Sequence, residues 1–144
     1  MDHSLESYRN GKVILIDKPL HWTSFQVVNK IRWAIRKKYG LKKFKVGHAG
    51  TLDPLATGLL ILCTGKATKQ IEKYQAQFKA YNAEVTLGAT RPSYDMETEI
   101  DQTFDIAHID KSSIESLEDK FTGKLMQRPP IFSALKKDGK KLYD

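Results

Sequence analysis

The segment Gly47-His48-Ala49-Gly50-Thr51-Leu52-Asp53-Pro54-Leu55-Ala56-Thr57-Gly58 gathers chemistry-bearing side chains on a backbone of unusual shape. Asp53 is the only acid between Asp17 and Glu72, and the tract before it, Lys30 to Lys45, carries eight Lys/Arg and no Asp or Glu. A carboxylate held in positive potential stays ionised and can act as a nucleophile or a base. Pro54 biases the Asp53 backbone toward extended conformations. The glycines, Gly50 among them, let the loop approach a bulky ligand closely. The competing use is structural, because Asp-Pro is a common turn dipeptide. By residue type alone, a turn cap or a lysine partner is the more frequent role for such an aspartate. His48, five residues earlier, could carry a proton or stack on a base, and a loop histidine also serves as a plain surface hydrogen-bonder.

Other chemistries lack their residues. The four histidines, His3, His21, His48 and His108, have no metal-ligand spacing, and Cys63 is the single cysteine, so neither a cysteine zinc site nor an internal disulfide is available. No Gly-Lys-Ser/Thr phosphate loop, dinucleotide fingerprint or nucleophilic serine elbow occurs. Nucleotide hydrolysis and redox chemistry are unsupported, and no cofactor is expected.

Charge points to a polyanion. Residues 1–80 hold 15 Lys/Arg against 5 Asp/Glu, whereas residues 81–144 hold 9 against 12. A second basic stretch runs from Lys120 to Lys141, with an acidic tract from Asp95 to Asp119 between the two. Concentrated basic segments favour nucleic acid, and a solvated lysine face is the alternative. At 144 residues the chain has the length of one domain, 1–144. No apolar run is long enough to span a membrane, and the N-terminal residues lack the apolar stretch of a secretory signal. A soluble, cytoplasmic protein is expected.

The elements that must position the loop are partly legible. Residues 12–16 read as a strand ended by Asp17-Lys18-Pro19. Thr23 or Ser24 caps a helix in which Val27, Val28, Ile31, Ala34 and Ile35 recur at helical spacing, and Gly40 stops it. Leu59 to Cys63 reads as a strand apolar on both faces, hence central in a sheet, with Cys63 an inert core residue. Gly65 to Gln77 reads as a short helix, Tyr81 to Leu87 as a strand, and 88–108 as a long surface loop. Ser112 with Glu115 resembles a capping box opening a helix through Phe121 that Gly123 closes. Asp138-Gly139 signals a hairpin, with Lys141-Leu142-Tyr143-Asp144 as a terminal strand lacking a partner. The expected class is α+β (mixed α/β), with a mixed, largely antiparallel sheet flanked by helices. Lys18 is either a structural turn residue or a phosphate contact.

The run from Gly47 through Gly58 to Leu59-Leu60 resembles the signature motif of the TruB family of tRNA pseudouridine synthases. Three further segments agree in order. Asp17-Lys18-Pro19 with Trp22-Thr23-Ser24 resembles the family's N-terminal Lys-Pro motif. Tyr81 with Leu87-Gly88 resembles the motif carrying a base-stacking tyrosine. Arg128-Pro129-Pro130-Ile131-Phe132-Ser133-Ala134-Leu135-Lys136, then Gly139 and Leu142-Tyr143, resembles its Pro-Pro…Ser-Ala…Gly…Tyr motif.

The resemblance implies a pseudouridine-synthase-like fold and an isomerase that converts the T-loop uridine at position 55 of tRNA to pseudouridine. It implies that Asp53 is catalytic, that His48 helps hold the T-loop, that Tyr81 stacks on the flipped uracil, and that Tyr143 lines the pocket. Lys18, Gly50 and Thr51 join the candidate RNA-binding set. The implied partner is the tRNA T-arm, with no cofactor, metal or membrane and with a monomeric enzyme.

Three features depart from the family pattern. His21 stands where the family usually has glycine, and the loop Ala89 to Glu99 lacks the usual Thr/Asp-rich sequence. Family members also continue past Tyr143 to an arginine that pairs with the catalytic aspartate. The expected reading is therefore the N-terminal portion of a catalytic domain, incomplete at its C-terminus and without an RNA-binding extension. Two alternatives are a catalytically silent RNA-binding fragment and a guide-RNA-dependent synthase acting on ribosomal RNA.

Overall fold

A computed structural model describes residues 2–127 and the backbone of 136–137 and 140–141. The chain packs as two compact units, residues up to Tyr81 and residues from Asn82 onward. The class is α+β with antiparallel pairing, as expected.

In the first unit, helix α1 (Leu5–Asn10) leads into strand β1 (Val13–Lys18), helix α2 (Ser24–Tyr39), and strands β2 (Val46–His48) and β3 (Gly58–Thr64). The sheet order is β1-β3-β2, fully antiparallel, with Leu15 opposite Ile61 and His48 opposite Leu62. The apolar run around β3 thus does occupy the centre. Helix α2 follows its local code. Thr23 accepts the Gln26 amide, the Gln26 side chain accepts the Thr23 amide at 2.7 Å, and Gly40 ends the helix in the left-handed region at φ 64°. Val27, Val28 and Ile35 from α2 meet Val46, Leu60 and Leu62 in the core, with Ile14, Ile16, Phe44 and Leu52 packed around it.

The junction after β3 is tight. Thr64, fully buried, donates its hydroxyl to the Tyr8 carbonyl at 2.9 Å and accepts the Lys12 amide at 2.9 Å, tying the end of α1 to the sheet. Gly65 follows at φ 50°, where a Cβ would collide with the Tyr8 and Arg9 carbonyl oxygens. A left-handed backbone and missing space act together here, so Gly65→Ala should destabilise the first unit by about 2 kcal/mol in a urea melt. An unchanged midpoint would show that α1 yields freely. A 3₁₀ turn (Gly65–Gln70) and helix α3 (Ile71–Gln75) then form, in place of one uniform helix.

Cys63 lies on β3 with no exposed surface, and burial raises its pKa above the ordinary thiol value. Thiolate, not thiol, is the reactive form. Alkylation in the native state should be at least about 100-fold slower than in urea, because it must wait for opening of the sheet. Equal rates would contradict a core position.

Residues 81–87 correct an expectation: they form no strand. Their apolar set, Tyr81, Val85 and Leu87, stays exposed, and alternation without a neighbouring strand gives no ladder. The second unit contains a two-residue ladder, β4 (Ala89–Thr90) with β5 (Gln102–Thr103), inside the stretch expected to be irregular. Between them Thr90 donates to Asp101 at 2.7 Å, Arg91 donates to the Thr98 carbonyl, and the Ser93 and Thr98 hydroxyls meet at 2.8 Å.

The next helix is capped by Asp110, not Ser112. The Asp110 carboxylate accepts the Ser113 amide at 2.7 Å and the Ser112 and Ser113 hydroxyls at 2.9 and 2.6 Å, so α4 (Lys111–Glu115) starts two residues earlier. An ionised acceptor outcompetes a hydroxyl for this role. The expected helix through Phe121 is also interrupted. Ser116 turns its hydroxyl onto the Ser113 carbonyl at 2.7 Å, and α5 (Glu118–Phe121) begins separately. These hydrogen bonds lower the Asp110 pKa from 3.8 to about 2, led by the Ser113 hydroxyl, then the Ser113 amide and the Ser112 hydroxyl. A depressed folded value stabilises the cap above the unfolded value and loses that contribution as pH falls through the folded one. Carboxyl NMR should therefore give Asp110 a midpoint near 2, and a midpoint near 3.8 would remove the cap.

Strands β6 (Lys136–Lys137) and β7 (Lys140–Lys141) pair antiparallel around 138–139. The expected hairpin ladder is present, and Lys141, expected to lack a partner, pairs with Lys136, while residues 142–144 of that expected strand lie outside the described residues. The turn residues Asp138 and Gly139 lie outside the described residues.

Candidate functional site

The loop from Ala49 to Thr57 joins β2 to β3, and its backbone is held at four points. The Ala49 amide donates to the Ile61 carbonyl at 2.8 Å, extending the β2–β3 ladder by one residue. Ser24, buried at the start of α2, donates its hydroxyl to the Leu52 carbonyl at 3.0 Å and accepts the Leu52 amide at 2.9 Å. The His21 amide donates to the Pro54 carbonyl at 2.8 Å, and the Ala56 amide to the Asp53 carbonyl at 3.0 Å.

Lys18 completes the anchor. Its side chain has 0% exposure, and Nζ lies 2.6 Å from the Trp22 carbonyl, 3.0 Å from that of Pro19 and 3.5 Å from that of Pro54. Three N–H donors meet three carbonyls, which is how a buried amine is satisfied without a carboxylate. In this structure the Lys18 side chain ties the Pro19–Trp22 turn to the Asp53 loop, the first of the two uses open to it. His21, in the position where the family favours glycine, takes φ 64°, so this turn uses a left-handed residue.

Asp53 itself is exposed. Among the described residues its carboxylate makes no hydrogen bond or ion pair, so it is free for a ligand while its backbone is fixed on both sides. His48 ends β2, and its Nδ1 faces the Gly50 carbonyl at 2.6 Å. That contact requires a proton on Nδ1 and fixes the ring beside the loop. Gly50 contributes this carbonyl at a positive φ of 117°, and Thr51 is exposed next to it.

Tyr81 is 70% exposed, and among the described residues no hydrogen bond or ring contact ties it to the loop. Tyr143 lies outside the described residues. No cluster of metal-ligating side chains occurs among the described residues. No helix among them is long and apolar enough to cross a membrane.

In the sequence Ser24 reads as a helix cap and as part of the Lys-Pro motif, and His21 only as a departure from the family's glycine. Both act on residues about thirty positions away, and no local pattern signals such a tie. The one available hint was the order of motifs, with the Lys-Pro segment preceding the glycine-rich loop.

The family model described as "TruB family pseudouridylate synthase (N terminal domain)" matches residues 36–144. Curated relatives carry the name tRNA pseudouridine synthase B. That of Flavobacterium johnsoniae is 59% identical over 140 residues, covering 96% of this chain and 61% of the relative. Those of Phocaeicola vulgatus and Bacteroides thetaiotaomicron are 56% and 53% identical over 138 residues each, covering 96% of this chain and 59% and 58% of the relatives. The chain spans about three-fifths of the length of these proteins.

Proposed function

Because the chain belongs to the TruB family of pseudouridylate synthases, we propose that it isomerises uridine in tRNA to pseudouridine, with the T-loop uridine at position 55 as target and Asp53 as the catalytic carboxylate. The observation that carries this reading is the anchored loop. Lys18, His21 and Ser24 hold Leu52 and Pro54, and the Asp53 carboxylate between them is left exposed and unengaged among the described residues.

In the reaction the C1′–N1 bond of the target nucleoside breaks and a C1′–C5 bond forms. The hydrogen at C5 leaves as a proton and N1 gains one, so no electrons are exchanged with a cofactor. Asp53 attacks, or assists cleavage at, the nucleoside while the glycosidic bond is open. The target base must leave its stack first, as base-modifying enzymes generally require. Tyr81, with its exposed ring, is the candidate stacking partner, and such stacking is worth roughly 1–3 kcal/mol per base. His48 and the Gly50-Thr51 backbone contact the T-loop beside the reacting base. The basic tract attracts phosphates and positions the RNA without reading its sequence.

The test is tritium release from a tRNA transcript labelled at uracil C5. One equivalent should be released per tRNA, and none from a transcript with cytidine at the T-loop position. No release from the uridine transcript overturns the proposed activity. Release that survives the cytidine substitution overturns the proposed target.

A further inference from the structure

We propose that a basic concavity at the entry to β2 holds the phosphodiester backbone of the same RNA, away from the reacting base; this rests on the RNA-modifying reading above. Arg9, Arg32, Arg36, Lys42, Lys43 and Lys45 line an open concavity of about 570 Å³, with Phe44 and Gly65 in its wall. No acid contributes to the lining, and among the described residues none of the six cations lies within ion-pair distance of a carboxylate. Six unneutralised charges converging on one surface are costly for an isolated fold and favourable once a polyanion arrives.

The surface is built in advance. Arg32 donates to the Val46 carbonyl at 3.0 Å and to Asn29 at 2.9 Å, and Arg36 Nε donates to the Leu41 carbonyl at 3.2 Å. The Gly65 amide donates to the Lys45 carbonyl at 3.0 Å. These bonds fix the chain that carries Lys42, Lys43 and Lys45 between α2 and β2. Gly65, by lacking a Cβ, lets the end of α1 bring Arg9 to the opposite wall.

The occupant follows from shape and place. Five of the six cations are exposed, with only Arg32 partly buried, so this is not the enclosed pocket that a single small anion needs. Spread charge of this kind suits repeated phosphates, which position a nucleic acid irrespective of its sequence. Lys45 immediately precedes β2 and His48 ends it, three residues or about 10 Å of strand further on. An RNA whose loop lies on His48 and Asp53 therefore has backbone within reach of the concavity.

The test is fluorescence anisotropy of a labelled tRNA transcript between low and moderate salt, with three proteins. In Lys42→Glu/Lys43→Glu both side chains are exposed, and a urea melt checks that folding is intact. The expected result is a Kd raised about 10- to 100-fold, with the salt slope shallower by about 2. Lys73→Glu/Lys111→Glu, an equal charge change at exposed residues outside both basic stretches, should leave Kd within about threefold of the unaltered chain. Excess inorganic phosphate at constant ionic strength should not displace the RNA.

Equal losses in both variants, no loss in the first, or displacement by phosphate would each overturn the proposal. Tritium release read on the same proteins separates the two readings. A selective affinity loss with no release from the unaltered chain keeps the concavity and sinks the activity. Release with unchanged Kd in the first variant sinks the concavity alone.

Discussion

Asp53→Asn is expected to slow tritium release by at least about 1,000-fold, equivalent to about 4 kcal/mol of transition-state stabilisation, while tRNA affinity and the urea midpoint stay nearly unchanged. The separation follows from how the loop is held. Its anchors are the backbone groups of Ala49, Leu52, Pro54 and Ala56, with the Asp53 carbonyl accepting the Ala56 amide. Asparagine keeps all of these and nearly the same shape. What it removes is the negative charge of a side chain that, among the described residues, bonds to nothing else. An asparagine variant that still turned over would take the carboxylate out of the chemistry. Parallel loss of stability would instead return Asp53 to the turn-forming role that residue statistics favour.

Local rules reached the elements that local forces build. Thr23, Gln26 and Gly40 bound α2 because capping groups act within four residues, and Leu59 to Cys63 gave a central strand because both its faces are apolar. The same rules failed where a neighbour had to be supplied. Tyr81 to Leu87 alternates, yet a strand exists only with a partner, and no ladder forms there. Ser112 looked like a cap because it precedes Glu115, but the carboxylate of Asp110 gathers the Ser113 amide and the Ser112 and Ser113 hydroxyls and starts the helix before it.

The candidate site divides in the same way. Asp53 and His48 were visible through the glycine-rich run. The ties that hold their loop cross 28 residues from Ser24 and 36 from Lys18, a separation at which spacing carries no signal. Composition likewise showed that Lys30 to Lys45 is basic, but only the fold brings Arg9 across from α1 to complete a concavity.

Lys18→Met should cost about 2–3 kcal/mol of stability and lower the rate of tritium release about 10- to 100-fold. Methionine fills nearly the same space and removes the donors. The Pro54 carbonyl retains the His21 amide at 2.8 Å, and that of Pro19 retains a longer bond from the Trp22 amide at 3.4 Å. The Trp22 carbonyl loses its 2.6 Å donor, a side chain with no exposed surface, which is the larger part of the stability cost. The rate effect has a different origin. Without Nζ the Pro19–Trp22 turn and the Asp53 loop are joined by one backbone bond, and a displacement near 1 Å at the carboxylate is enough to lose the stated factor. Two measurements distinguish this from simple unfolding. Rates are compared at a temperature where both proteins are fully folded, and the salt slope of tRNA binding is read beside them. A tie through carbonyls leaves the slope unchanged, whereas a phosphate contact would make it shallower by about 1. Combined with Asp53→Asn, the methionine variant should add its full stability loss but little further loss of rate, because both substitutions act on the same carboxylate.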